Sequence, residues 1–241
     1  MNFLRQNIPN LLTCLNLTCG LIGLVLLAEN GIEALPELCI LVFLAGIADF
    51  FDGFAARLLG SASPIGKDLD SLADAVTFGV LPGLAGYLCL KNLQAGELAW
   101  LALSTPLFSV IRLARFNNDP GQSDSFTGVP TPANAFFLLF LFERIFFGDG
   151  ILADAEMNAT LLASVIIVSS LLLVSPFRII SLKVSRKGLK ANLDKFLLLV
   201  TGLLLAVFLQ KDAVPVLYPV YLLLSFVFQF LQTESKIPGK I

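Results

Sequence analysis

Long runs of apolar side chains, separated by short loops rich in glycine and proline, are the feature that most constrains how this chain can fold. A helix needs about 20 such residues to cross a bilayer. Only 14% of the 241 residues are charged, against about a quarter in soluble domains. The pattern predicts one all-α, polytopic membrane domain over residues 1–241. We expect about eight transmembrane helices at 10–28, 37–58, 67–90, 97–116, 131–148, 159–179, 195–210 and 214–232.

The positions of lysine and arginine predict the orientation in the membrane. If the N-terminus is cytoplasmic, only Lys91, Arg144 and Lys211 of the 16 basic residues lie toward the far side. Basic residues favour the cytoplasmic side, so we expect both termini there, in the cytoplasmic membrane. The basic loop at 178–195 is expected to contact anionic headgroups. The net charge of −2 gives no indication of a nucleic-acid partner.

Two local features accompany the apolar runs. Pro82, next to Gly83, and likewise Pro106 and Pro176, predict kinks in their helices rather than binding sites. Glu143 and Arg144 are adjacent and predict a local ion pair.

Four aspartates lie near the end of the second predicted helix and the start of the third. Asp49 and Asp52 are three residues apart, and Asp70 and Asp74 are four apart. Each pair therefore occupies one face of its helix. The connection at 58–65 is short enough to make the two helices antiparallel neighbours. We expect the two acidic faces to meet at the cytoplasmic end of the bundle.

These carboxylates need a positive counter-charge, because one charge at the centre of a bilayer costs about 3 kcal/mol. Arg57 and Lys67 are too few to supply it. The chain has no histidine, and its four cysteines lie in apolar runs, where we expect buried thiols. Oxygen ligands select Mg²⁺, Mn²⁺ or Ca²⁺, so one or two divalent cations are favoured. Salt bridges between helices are the alternative.

The acidic segment matches a known pattern: Asp49-x-x-Asp52-Gly53-x-x-Ala56-Arg57, eight residues, then Gly66-x-x-x-Asp70-x-x-x-Asp74. It resembles the signature of the CDP-alcohol phosphotransferase family. Members of that family are membrane enzymes that displace CMP from a CDP-linked donor with an alcohol, using Mg²⁺ or Mn²⁺. The resemblance implies two ions per active site, facing the cytoplasm, and a homodimer.

The same resemblance assigns roles to residues. It implies that Asp74 is the general base that deprotonates the acceptor. It implies metal ligands at Asp49, Asp52, Asp70 and Asp74. It implies donor-binding residues at Asp49, Asp52, Gly53, Ala56, Arg57, Gly66, Lys67 and Asp70.

Three further stretches bear on the acceptor: "IPNLLTCLNLTCG" at 8–20, "SLADAVTFGVLP" at 71–82, and "RLARFN" at 112–117 followed by "FTGVPTPANA" at 126–135. They resemble the phosphatidylserine synthase branch of the family, which implies CDP-diacylglycerol as donor and L-serine as acceptor. The implied acceptor region is 112–135, with candidate residues Arg112, Arg115, Asn117, Thr127 and Gly128. From spacing alone, the two arginines could bind serine's carboxylate or a lipid phosphate, or could simply anchor the helix.

Other functions stay open. The acceptor could be glycerol phosphate, inositol phosphate or choline, and the donor could carry archaeal-type lipid. A divalent-cation transporter is a rival of another class. It predicts acidic residues near mid-membrane and on several helices, whereas the pattern here places them near one face on two helices.

Overall fold

The computed structural model describes residues 3–61, 63–118, 126–152, 157–179 and 193–234. Within these ranges, strand structure is limited to a two-residue antiparallel pair, β1 (Phe126–Thr127) and β2 (Arg178–Ile179). The prediction of an all-α architecture is therefore confirmed. The α-helices in the described ranges are α1 (Phe3–Asn30), α2 (Leu35–Leu59), α3 (Pro64–Asp74), α4 (Leu81–Asn92), α5 (Ser104–Asn118), α6 (Thr131–Phe147), α7 (Ala159–Leu173), α8 (Leu193–Leu209) and α9 (Ala213–Glu234).

Some of these helices are long and apolar enough to cross a membrane. In the part of the chain that the structure describes, four helical stretches meet that requirement: Asn7–Leu59, Pro64–Asn92, Gly96–Asn118 and Lys195–Gln229. The first contains most of α1 and all of α2, and the last contains most of α8 and of α9. The shorter helices α6 and α7 have 17 and 15 residues. The chain is thus an integral membrane protein, while the count of eight crossings and the side of each terminus stay predictions.

The helices pack around a core of aliphatic and aromatic side chains. Leu38 of α2, Phe78, and Leu138 and Phe142 of α6 are fully buried in it. The outward faces are also apolar, and Phe208 on α8 is 79% exposed. Large apolar side chains on so much of the outer surface fit a lipid environment and would be unfavourable in water.

A short turn brings α3 back against α1 and not side by side with α2, so the prediction that the two acidic helices are antiparallel neighbours is wrong. Gly60 ends α2 with a left-handed φ of +59°, and its N–H bonds the carbonyls of Ala56 and Arg57. Ser63 begins α3, because its hydroxyl accepts the N–H of Gly66 at 3.0 Å and Pro64 fits the first helical turn. The Gly60 turn and the Ser63 cap therefore place the acidic half of α3 near the end of α2.

The third predicted span is helical throughout but irregular. A π-helical stretch, Ala75–Val80, separates α3 from α4. Pro82 lies just beyond it and has no N–H to bond the carbonyl of Phe78, which favours such a local widening. Gly83 lies so close to Pro106 that a Cβ would overlap the proline ring. The irregularity predicted near Pro82 is thus a π-helical stretch that begins directly after Asp74.

The sixth predicted helix, 159–179, is too long. In the structure α7 ends at Leu173, because Pro176 cannot continue a helix and disfavours helical backbone at Ser175. The chain beyond pairs with another segment: the N–H of Gly128 donates to the carbonyl of Phe177 at 2.9 Å. Most of the predicted basic loop, 180–192, lies outside the described residues.

Arg144 ties the end of α6 to the turn before α9. The residue is 2% exposed, and its guanidinium contacts Asp212 at 2.8 Å, Asp149 at 2.9 Å and Glu143 at 3.5 Å. The predicted ion pair with Glu143 is present. The two shorter contacts, with Asp212 and Asp149, were not predicted. The hydrogen bond from Arg144 lowers the pKa of exposed Asp149, whereas Asp212 is only 4% exposed.

We expect Asp212→Asn to lower the free energy of unfolding by about 3 kcal/mol, because it leaves a buried guanidinium short of one charge partner. Asp149→Asn removes a contact of nearly the same length from the same arginine, but Asp149 is exposed to solvent. Only a small loss in the free energy of unfolding is therefore expected. Thermal unfolding of both variants in detergent measures the difference. Equal losses would mean that burial of Asp212 adds nothing.

Candidate active site

Three of the four aspartates converge. One carboxylate oxygen each from Asp49 of α2 and from Asp70 and Asp74 of α3 lie within 4.8 Å of one another. Two unit charges at that distance repel by roughly 3 kcal/mol at an effective dielectric constant of 20. Among the side chains that the structure describes, no lysine or arginine nitrogen lies within ion-pair distance, 4.0 Å, of these carboxylates.

The fourth aspartate faces a different neighbour. Asp52 is 6% exposed, and its Oδ2 accepts a hydrogen bond from the Thr13 hydroxyl of α1 at 2.6 Å. It is not among the three acids whose oxygens converge. Its predicted role as a metal ligand therefore stays a prediction.

A buried asparagine of α1 orients Asp74. The Nδ2 of Asn16 donates to Oδ1 of Asp74 at 3.0 Å, and both residues are buried. The carbonyl of Asn16 in turn accepts a hydrogen bond from the Thr77 hydroxyl at 3.1 Å. Gly20 permits this close approach, because a Cβ there would collide with Thr77. The sequence offered one signal for Asn16: Asn10, Thr13 and Asn16 recur every three residues in an otherwise apolar helix.

Beside the acids is an open cavity of about 180 Å³. Six of the eight predicted donor-binding residues line it: Asp52, Gly53, Ala56, Gly66, Lys67 and Asp70. The other two are Asp49, in the acidic cluster, and Arg57, which is exposed and folds back toward Gly53. The small side chains at 53, 56 and 66 leave space against the helix backbones. The cavity is thus a candidate place for a phosphate-containing ligand next to the carboxylates.

Asn117 links α5 to α3 at the rim of this region. Its side-chain Nδ2 donates to the Ser71 hydroxyl at 2.7 Å, and its backbone carbonyl accepts a hydrogen bond from Nζ of Lys67 at 2.6 Å. Asn117 was predicted to shape the acceptor site; in the structure it contacts Ser71 and Lys67 of α3, and its role stays a prediction. The contribution of Ser71 was not predicted, since a single serine in a helix gives no signal.

The two predicted arginines border a second cavity, of about 270 Å³, together with the end of α7. Arg112 is 9% exposed, and its Nη1 donates to the Thr131 hydroxyl at 2.9 Å. Its guanidinium also interacts electrostatically with Asp74 and Asp49. Arg115 is exposed and donates to the carbonyl of Val174 at 3.3 Å. Arg112 is therefore the better placed of the two for a ligand at the acidic cluster.

The last two predicted acceptor residues belong to a backbone pairing. Thr127 is in β1, opposite Arg178. Gly128 has a φ of +76°, and a Cβ would collide with the carbonyl of Leu173. The backbone contacts of these two residues fix the loop before α6, and Gly128 lies against Leu173, which borders the cavity of the two arginines. Their role at an acceptor site stays a prediction.

The acidic cluster fits a divalent cation by its chemistry. All of its donors are carboxylate oxygens, the ligands that Mg²⁺, Mn²⁺ and Ca²⁺ prefer. Oδ1 of Asp70 is buried and has no hydrogen-bond partner among the described residues. A buried acceptor without a partner is costly, and a cation would satisfy it. Asp49, Asp70 and Asp74 could thus hold a divalent metal ion.

Helices that fit a membrane, a carboxylate cluster and an adjoining cavity together define a candidate metal site in a membrane protein. The sequence model of the CDP-alcohol phosphatidyltransferase family matches residues 6–169. This range covers α1 to α6 and most of α7, including every aspartate of the site. The chain therefore belongs to the CDP-alcohol phosphatidyltransferase family.

Curated relatives agree with that assignment. The CDP-diacylglycerol–serine O-phosphatidyltransferase of Helicobacter pylori strain 26695 is 32% identical over 221 residues, 89% of this chain and 87% of the relative. The protein of the same name in Mycobacterium leprae is 37% identical over 155 residues, 60% of this chain and 50% of the relative. The archaetidylserine synthase of Methanothermobacter thermautotrophicus is 34% identical over 135 residues, which is 53% of this chain and 54% of the relative. The chain thus spans about half the length of the mycobacterial and archaeal relatives.

Proposed function

We propose that this protein transfers the phosphatidyl group of CDP-diacylglycerol to the hydroxyl of L-serine and releases CMP. The observation that carries the chemistry is the convergence of Asp49, Asp70 and Asp74 beside an open cavity. Serine as acceptor is supported by the Helicobacter relative, which is named for that reaction and is similar over nearly its whole length.

The chain's own residues account for the proton and for substrate placement. Asp74 accepts the proton of the serine hydroxyl, and Asn16 holds its carboxylate in place. The serine oxygen then bonds the phosphorus next to diacylglycerol, the bond from that phosphorus to the CMP oxygen breaks, and CMP leaves as an anion. Small residues at 53, 56 and 66 leave room for the diphosphate in the cavity, and Lys67 supplies a positive charge at its edge.

The divalent ion is assigned to the same carboxylates. Mg²⁺ or Mn²⁺, two ions per site by family resemblance, would be held by Asp49, Asp70 and Asp74, with Asp52 the remaining candidate ligand. When bound, such ions neutralise charge on the diphosphate and lower the barrier to attack on phosphorus.

We place the site at the cytoplasmic face, with both termini on that side and eight crossings, in a protein that works as a homodimer. In support, Lys67, Arg112 and Arg115 lie at the same end of the bundle as the acids: Lys67 contacts Asn117 at the end of α5. Basic residues concentrate on the cytoplasmic side of membrane proteins.

The direct test supplies purified protein with CDP-diacylglycerol and Mn²⁺ or Mg²⁺, adds one alcohol at a time, and measures CMP release. We expect release to depend on L-serine. Release that depends instead on glycerol phosphate, inositol phosphate or choline would contradict the serine assignment while keeping the chemistry.

One specific observation favours a second candidate, the same reaction on an archaeal-type donor, since a relative at 34% identity is named archaetidylserine synthase. Parallel assays with CDP-diacylglycerol and its ether-lipid counterpart distinguish the two donors. The cation-transporter alternative loses support, because the acidic cluster found in the described residues comes from α2 and α3 alone.

A further inference from the structure

Arg112 is a buried cation with hydrogen-bonding capacity to spare. Its Nη1 is bonded to Thr131, but its Nε has no hydrogen-bond partner among the described residues. It interacts electrostatically with Asp49 and Asp74 without an ion-pair contact to either. A buried guanidinium with an open donor beside a reaction centre is suited to bind a carboxylate.

The orientation of Arg112 depends on the first turn of α6. Thr131, which accepts the guanidinium hydrogen bond, opens this helix and is fully buried. Three residues further on, and so on the same face, lies Asn134, which is also fully buried. Any shift or rotation of this first turn would therefore move the partner of Arg112.

A tyrosine of α9 fixes that turn. The hydroxyl of Tyr218 donates to Oδ1 of Asn134 at 3.2 Å, and its ring stacks on Phe137 with centroids 4.2 Å apart and planes 8° from parallel. The contact between Arg144 and Asp212 holds α9 to the other end of α6. Helix α9 lies beyond residue 169, where the match to the family model ends.

We propose that Thr131 and Tyr218 are positioning residues that hold Arg112 for the carboxylate of the amino-acid acceptor. Acceptor affinity then depends on α9, a helix outside the segment that matches the family model. This inference rests on the proposed function, because it takes serine's carboxylate as the anion.

The test compares acceptor affinity in variants that remove one hydroxyl each. Thr131→Val is expected to raise KM for L-serine about tenfold, the effect of one hydrogen bond to a charged group. Tyr218→Phe keeps the stacked ring and is expected to raise KM for L-serine about threefold. In both, kcat and KM for CDP-diacylglycerol should stay near the wild-type values. Thr131→Ser keeps the hydroxyl and should restore the wild-type KM for serine.

Thr105→Val is the matched control. Thr105 is also a fully buried threonine, and its hydroxyl bonds Ser170 at 2.9 Å, away from Arg112. Its KM for serine should not change. Unchanged KM in Thr131→Val, or an equal rise in Thr105→Val, would overturn the inference while leaving the proposed function intact. A wild-type protein whose CMP release ignores serine would overturn both.

Discussion

Asp74→Asn is expected to lower serine-dependent CMP release at least a hundredfold. General-base catalysis contributes about 10² to 10⁴ in rate, and an amide cannot take up the serine proton. The substitution keeps the size of the side chain and an oxygen that can accept the hydrogen bond from Asn16. Because Asp74 is also assigned to the metal, binding of CDP-diacylglycerol at saturating Mn²⁺ is measured in parallel. With Asp49 and Asp70 still present, the loss in kcat should exceed any loss in donor binding.

Asp68→Asn provides the control for this loss. Asp68 lies on the same helix, carries the same charge and is exposed, outside the group of converging carboxylates. We expect the kcat of the Asp68→Asn variant to be within about twofold of wild type, because surface substitutions away from the site have small effects. Near-normal turnover in Asp74→Asn, with Tm unchanged, would show that another group accepts the proton.

Helical periodicity was enough to predict much of this arrangement. Three of the acids predicted as metal ligands do converge, because residues three or four apart share a helix face and the short link at 58–65 keeps the start of α3 near the end of α2. The expected side-by-side packing of α2 and α3 is not observed, since both helices lie against α1. The spacing could not separate Asp49 from Asp52. Their directions differ by about 60° around the helix, and this is sufficient for one to face α3 and the other Thr13 of α1.

The contacts of the predicted acceptor region could not be predicted from the sequence, for a physical reason. Its residues lie at the end of a helix and in the loop after it, where position depends on contacts with distant segments. Asn117 is held by Ser71 and Lys67 of α3, and Gly128 by the backbone of residues beyond α7. Local patterns carry no information about such pairings. The same holds for Tyr218, whose contact with Asn134 joins residues 84 apart.

A second variant, Asp49→Asn, is expected to change activity and stability in opposite directions. Activity should fall at least a hundredfold, since one carboxylate of the proposed metal site is lost. In protein freed of divalent ions, however, Tm should rise by about 2–4 °C, which corresponds to about 1 kcal/mol for a chain of this size. The rise is expected because Asp49 lies within 4.8 Å of two other carboxylates and no described lysine or arginine is paired with it.

The response to metal separates this explanation from a simple packing effect. A ligand present at 100 times its Kd stabilises the folded state by about 2.7 kcal/mol, so Mn²⁺ should raise the Tm of wild type and of Asp68→Asn by several degrees. Asp49→Asn should show little of that increase. If its Tm rises with Mn²⁺ as much as that of wild type, Asp49 is not a ligand. If Asp49→Asn is less stable than wild type without metal, the carboxylates are not in mutual repulsion, and the charge argument for a cation at this site fails with it.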